Sequence, residues 1–280
     1  MSADLKWNLI VDVAKCANCN TCYMTLLDEY VDNSFPGYSA PCPRHGHRWI
    51  RLQTRERGAG SLMDVAYLFT TCNQCDEAPC RKAAPDCVHK REDGIVILDP
   101  DKSRGRKDLL EACPYGHIWW NDAEGLPQKW IWDAHLLDQG WKEPRPVSVC
   151  AAGSLRTLKV RDEAMREMAE RNQWEVLHPE WGTRPRIWYA NLHRFYREHI
   201  AGSVARVANG LEDALEGAQV ILLKDGAEIA RTVTDFFGDF KFDGLKPDSG
   251  NYVILAEQGG VRREVSAALG KSVNIGIITL

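Results

Sequence analysis

All ten cysteines of this 280-residue chain fall within its first 150 positions. That is too many thiols for a reduced protein that uses cysteine only as a small hydrophobe. It is also the wrong distribution for a secreted disulfide scaffold, which staples its whole length. The cysteines therefore read as ligands, and their spacing indicates of what. Cys16, Cys19 and Cys22 form a C-x2-C-x2-C run. Three thiolates so spaced on one tight loop can turn inward on one face of a cubane cluster. A second run, Cys72, Cys75 and Cys80, is C-x2-C-x4-C with Pro79 before its last member. Each run lacks a fourth ligand. Two isolated cysteines can supply it, Cys113 (followed by Pro114) and Cys150. In two-cluster ferredoxins the fourth cysteine of a run serves the other cluster, so the halves interleave. That rule pairs Cys150 with Cys16, Cys19 and Cys22, and Cys113 with Cys72, Cys75 and Cys80. The expectation is two [4Fe–4S] clusters, with one ferredoxin-like domain nested inside another.

The positions where further cysteines would stand carry the same message. A complete first run would end at position 26, and a run ending at Cys150 would use positions 130, 133 and 146. These are Leu26, Trp130, Asp133 and Pro146. The inner domain would add positions 84, 103, 106 and 109, which are Ala84, Ser103, Arg106 and Leu109. Two ligand sets are missing as wholes, and two are whole. Cys42 and Cys87 are left over as free thiols. A zinc-stabilised interaction protein is the competing reading, since a cysteine triple plus one can close a tetrahedral site. The nested pattern and Cys113-Pro114 favour iron–sulfur.

Other residues exclude more than they assign. A net charge of −4 with no basic run leaves no footprint for nucleic acid. No apolar stretch reaches the length of a membrane span, and the N-terminus has no basic region or cleavage site. A cytoplasmic chain is expected. His45 and His47, with Arg44, Arg48, Arg51, Arg55 and Arg57, read as a solvated or partner-facing loop with surface charge. His117 and His135 lie near cluster cysteines, either as donors to sulfur that tune potential or as packed side chains. No nucleophile elbow, phosphate loop or Rossmann glycine signature stands out, so the chain is not expected to be catalytic alone.

Composition divides the chain into residues 1–155, which hold the cysteines, 156–200, a helical and aromatic connector with a helix over Asp162–Asn172, and 201–280. The last region alternates short apolar runs (Ala218–Leu223, Phe236–Phe242, Tyr252–Ala256, Val273–Ile278) with turns such as Asp225-Gly226 and Gly259-Gly260. That is the pattern of a small all-β sandwich used for docking or structure. The fold class is therefore α+β: a nested double ferredoxin-like domain followed by an Ig-like or prealbumin-like sandwich.

The runs Lys15-Cys16-Ala17-Asn18-Cys19-Asn20-Thr21-Cys22 and Cys72-Asn73-Gln74-Cys75-Asp76-Glu77-Ala78-Pro79-Cys80, with Glu92-Asp93-Gly94-Ile95-Val96 and Ala112-Cys113-Pro114-Tyr115-Gly116, resemble the iron–sulfur subunits of molybdopterin oxidoreductases related to dimethyl sulfoxide reductase. Pro36-Gly37-Tyr38, Arg44-His45-Gly46-His47-Arg48-Trp49, Ala134-His135-Leu136-Leu137-Asp138 and Phe236-Phe237-Gly238-Asp239-Phe240-Lys241-Phe242 carry the likeness further. They are similar to the small-subunit family of pyrogallol–phloroglucinol transhydroxylase and resorcinol-type hydroxylases. The resemblance implies an electron-transfer role beside a large partner holding molybdenum on two pterin guanine dinucleotides and acting on hydroxylated aromatic rings. It places the Cys16 cluster nearest that partner. A free-standing ferredoxin-like carrier is the alternative. One departure stands out: the family resembled looks like a three-cluster one, keeping the site that is lost here at Leu26, Trp130, Asp133 and Pro146. The relay is expected to lack its middle step, which suits a reaction without net electron export. Trp119, Trp120, Trp130 and Trp132 are expected to pack into the vacated volume.

Overall fold

The computed structural model describes residues 4–208 and 210–280. The first three residues of the segment read for an export signal lie outside the described residues. Chain contacts separate two units. Residues up to Gln53 with Tyr67–Leu192 form the first, and Thr54–Ala66 with His193–Leu280 the second.

In the first unit β1 (Lys6–Asp12) has five consecutive buried residues, Trp7 to Val11. A strand apolar on both faces belongs in the middle of a sheet, and β1 lies between two others. The helix α1 (Thr21–Tyr30) follows the first cysteine run, and β2 (Ile50–Arg57) pairs with β3 (Asp64–Thr71), residues 54–66 of this hairpin being counted with the second unit. Then come α2 (Pro79–Ala83), the antiparallel pair β4 (Val88–Lys90) and β5 (Val96–Leu98), and α3 (Leu109–Ala112). A second small pair, β6 (Trp119–Asn121) and β7 (Leu126–Gln128), precedes α4 (Ala134–Asp138) and α5 (Arg145–Ser148). The unit closes with β8 (Leu155–Val160), α6 (Asp162–Asn172) and β9 (Ile187–Ala190). β8 runs antiparallel to β1 and β9 parallel to it. The segment 156–200 thus supplies flanking strands to the sheet. Its helix begins with Asp162 and Glu163, which suit the positive end of the helix dipole. It buries only Met165 and Ala169, four residues apart on one face, against Ile10.

The second unit contains α7 (His193–Tyr196), β10 (Glu198–Ala208), β11 (Leu211–Ala214), β12 (Gln219–Lys224), β13 (Ala227–Val233), β14 (Asp239–Leu245), β15 (Gly250–Gln258), β16 (Val261–Leu269) and β17 (Val273–Thr279). They form two four-stranded sheets, β11-β10-β14 with β17 on β10, and β13-β12-β15-β16. Alternate residues of both sheets share one core: Ile200, Val204, Phe240 and Phe242 from one, Val220, Leu222, Ile254 and Ala256 from the other. The tight turns fall where the dipeptides predict. Asp225-Gly226 and Gly259-Gly260 have positive φ at both residues, matching the twist of the strands they join. In the run Phe236–Phe242 the strand begins at Asp239, after the turn that Phe237-Gly238-Asp239 predicts. Phe236 and Phe237 stand on a turn, both exposed, because the Asp235 carboxylate accepts the N–H groups of Phe237 and Asp239 at 2.9 Å.

The arginines read as surface charge need correction. Arg57 is buried within the second unit, donating to both Asp243 oxygens (2.8 and 2.9 Å) and to Asp64. Arg55 is half-buried on Glu198 and the Phe195 carbonyl. Burial opposes ionisation of Asp243, but Arg57 overcomes it and holds the carboxyl down to about 2. A carboxylate whose folded value is depressed stabilises the fold above its unfolded value of about 3.9 and loses that contribution as pH falls. Melting curves should therefore show the second unit weakening as pH falls from about 4 toward about 2, with a shallower acid dependence in Asp243→Asn. An unchanged acid profile in that variant would remove this pair as a cause.

Candidate metal centres

Cys16, Cys19, Cys22 and Cys150 line one pocket with Ala17, Asn20, Thr21, Leu52, Phe69, Ala152, Ser154 and Leu155. The loop can double back so tightly because Asn18 and Asn20 both take left-handed backbone angles (φ 54° and 60°), which asparagine tolerates better than most residues. The Asn20 amide donates to the Asn18 carbonyl at 2.9 Å and fixes the reversal. Asn20 then opens α1, placing Cys22 in its first turn. The Thr21 hydroxyl donates to the Cys19 sulfur at 3.4 Å. Cys150 arrives after α5 on a Cys-x-x-Gly turn whose Gly153 N–H donates to the Cys150 carbonyl at 2.9 Å.

Cys72, Cys75, Cys80 and Cys113 line a second pocket with Asn73, Ala78, Pro79, Val96, Pro114, Tyr115, Ile118 and Lys129. Its loop is held from several sides. Gln74, fully buried with φ 49°, donates to the Trp130 carbonyl and accepts from the Val96 N–H. The Lys90 ammonium donates to the carbonyls of Gln74 and Cys75 at 3.0 Å. Arg186 grips both Asp76 oxygens at 2.7 Å, and the N–H groups of Asp76 and Glu77 donate to the Arg184 and Thr183 carbonyls. Pro79 starts α2, a position where its missing N–H costs nothing, and so sets Cys80 in the first turn. Cys113 ends α3 on the same Cys-x-x-Gly turn as Cys150. Gly116 donates to the Cys113 carbonyl at 2.9 Å, and both glycines have φ 63°.

The donor chemistry fits an iron–sulfur cluster. Each pocket offers four thiols and an otherwise mostly apolar wall. Among the described residues no three His, Cys, Asp or Glu side chains converge on a single ion. Burial pushes the free thiols of Cys22 and Cys75 up to about 12 and that of Cys80 up to about 11. Ionising these three buried thiols is therefore costly, and a cationic iron core is what would make their thiolates favourable. Peptide N–H groups already point at sulfur, from Asn18 to Cys16, Tyr23 to Cys22, Arg81 to Cys80, and Tyr115 and His117 to Cys113. A bound cluster would supply one-electron chemistry, and these groups would hold and tune it.

Of the four histidines weighed in the sequence, one departs from expectation. His47 is buried, not solvated. Its Nε2 lies 2.9 Å from the Trp120 carbonyl and its Nδ1 3.8 Å from the Cys42 sulfur. His45 is exposed. The imidazole of His135 pairs with Glu29 at 2.8 Å and stacks on Phe35. His117 is a packed histidine that burial holds down to about 3, and only its peptide N–H serves Cys113. Cys42 and Cys87 are buried free thiols. Residues without a local signal in the sequence include Lys129 and Thr183. The Thr183 hydroxyl bonds the Cys75 sulfur and lies 2.6 Å from the Tyr115 hydroxyl.

A family model described as a 4Fe-4S dicluster domain matches residues 63–160. The pyrogallol hydroxytransferase small subunit of Pelobacter acidigallici is 41% identical over 279 residues, 98% of this chain and 99% of that one. The chain belongs to the family of that small subunit. More distant relatives are the beta subunits of two reductases. That of chlorate reductase from Ideonella dechloratans is 35% identical over 44% of this chain and 39% of its own length. That of selenate reductase from Thauera selenatis is 30% identical over 52% of this chain and 46% of its own length. This small-subunit family member is an iron–sulfur electron-transfer chain. Among its described residues no helix is long and apolar enough to cross a membrane.

In this small subunit the positions read as lost ligands are filled by packing. Leu26, Trp130, Asp133 and Pro146 are all buried. Asp133 is the hub. One of its oxygens accepts from the Tyr30 hydroxyl (2.7 Å) and the Trp130 indole N–H (2.8 Å), and the other accepts from the Arg145 N–H (2.8 Å). Tyr30 in turn contacts Phe35, Trp49 and His135 edge-on. Trp132 packs beside Trp130, whereas Trp119 and Trp120 are half-buried. At the inner set Ala84, Ser103 and Leu109 are wholly buried, and Arg106 pairs with Asp86 and Asp108.

Proposed function

We propose that this chain carries two [4Fe–4S] clusters, one on Cys16, Cys19, Cys22 and Cys150 and one on Cys72, Cys75, Cys80 and Cys113. On this reading it is the accessory subunit of a molybdopterin enzyme acting on hydroxylated aromatic compounds. The observation that carries the proposal is that each pocket joins one cysteine triple to one distant cysteine. The exchange of fourth ligands, Cys150 past Cys113, is the interleaving of two-cluster ferredoxins, and it supports a nested pair of ferredoxin-like halves. The twin Cys-x-x-Gly turns support it further. The two-sheet second unit suits an Ig-like or prealbumin-like sandwich with a docking or structural role. The near full-length likeness to a hydroxytransferase small subunit favours a large partner with molybdenum on two pterin guanine dinucleotides. Catalysis would then reside in that partner. Ten free cysteines suit a reducing cytoplasm.

Anaerobic purification from the native host followed by metal analysis tests this directly. About eight iron and eight acid-labile sulfide per chain are expected, with molybdenum in a co-purifying large subunit. About twelve iron would mean a third cluster. Zinc in place of iron would end the electron-transfer reading. A brown chain that purifies alone would make it a free-standing carrier.

A further inference from the structure

The two cysteine pockets differ in one respect that bears on where an electron rests. No charged side chain lines the first. Into the second projects Lys129, only 3% exposed, the one charged residue of its wall. Its ammonium has three protons and, among the described residues, a single protein acceptor, the Val96 carbonyl at 2.5 Å. Among the described residues no carboxylate pairs with it. The other well-buried cations of the chain are matched, Arg57 by Asp64 and Asp243, Arg186 by Asp76 and Asp162, and Lys90 by Asp76. A buried, unpaired ammonium is costly unless an anion stands nearby, and four cysteine sulfurs are the anions available. Cys80 and Cys113 both feel its charge.

We infer that Lys129 is a potential-setting residue of the Cys72–Cys75–Cys80–Cys113 site, holding its reduced state by charge. The inference rests on the proposal that this pocket binds a cluster. Adding one electron to a cluster held here adds one negative charge and requires no proton. A fixed ammonium in a dry pocket stabilises that added charge far more than it would in water. Both pockets have hydroxyl and peptide donors to sulfur, such as Thr21 on Cys19 and Thr183 on Cys75, and only the second adds a charge. Lys129 also lies one residue from Trp130, so the same short segment fills the vacated position and charges the neighbouring site.

The test is a redox titration followed by electron paramagnetic resonance on the purified complex, comparing wild type with Lys129→Met, which keeps length but removes charge. The expected result is a downward shift of the midpoint of one cluster, the one whose signal Cys75→Ala abolishes, with the other unmoved. Two signals whose midpoints both stay put, or both move together, would overturn the inference. Should Lys129→Met lose the signal of the second site, Lys129→Arg decides: a midpoint near wild type supports a charge effect, and a clear fall refutes it. Wild-type protein with no iron signal at all would defeat the cluster proposal itself, a different and recognisable outcome.

Discussion

Cys150→Ala and Cys22→Ala are expected to abolish the same paramagnetic signal and to lower iron from about eight to about four per chain. Cys113→Ala and Cys75→Ala should together define the other signal. The pairing is not the one chain order suggests, since Cys113 comes before Cys150 and would complete the first triple in a sequential arrangement. It follows from the pockets, where Cys150 reaches the first triple through α5 and Cys113 reaches the second through α3. The loss should be complete, because no spare thiol lines either pocket. Cys42 lies beside His47, and Cys87 shares the core behind the second pocket beside Ala84 and Arg106 without lining it. Cys42→Ser should accordingly retain all its iron. If Cys150→Ala instead removes the signal lost in Cys75→Ala, the interleaved assignment is wrong and the sequential one right.

Which cysteines share a pocket was legible in their spacing, and the reason is chemical. Thiol ligands must be deprotonated, convergent and few, so their spacing carries three-dimensional information that apolar residues lack. The turns of the second unit were legible for a similar reason, since Asp225-Gly226 and Gly259-Gly260 meet a backbone requirement that few dipeptides satisfy. What stayed hidden depends on distant partners. Arg57, in the polar run Ile50-Arg51-Leu52-Gln53-Thr54-Arg55-Glu56-Arg57, has every local mark of a solvated charge. Its burial is decided by Asp243, 186 positions away. β8 and β9 were missed as strands of the first unit because their pairing with β1 spans nearly the whole unit. Lys129, between Gln128 and Trp130, and Thr183 have no local signal, because each matters through what the fold sets beside it. His47 misled in the opposite direction, since a polar, glycine-containing neighbourhood concealed a side chain packed under Trp49 and Trp119.

Asp133→Ala should be among the most destabilising single changes in the chain. Asp133 is wholly buried, and burial raises its carboxyl above the ordinary range even against three hydrogen-bond donors. Removing it leaves the Tyr30 hydroxyl, the Trp130 indole and the Arg145 N–H without an acceptor in a dry core. Each orphaned donor costs about 1–3 kcal/mol, so a loss of about 3–5 kcal/mol is expected on denaturant unfolding. Asp133→Asn should fall between, because its carbonyl can still serve Tyr30 and Trp130 while its amide opposes the Arg145 N–H. The iron content of the same variants decides what this region is. If Asp133→Ala unfolds more easily yet keeps about eight iron, the position is a polar core that has replaced a ligand, and no metal steps through it. Electrons arriving at one cysteine site would then have no intermediate cluster on the way to the other, as suits a reaction that exports none. If the variant instead loses about four iron from a total of about twelve, Asp133 is itself a ligand, and the relay is continuous.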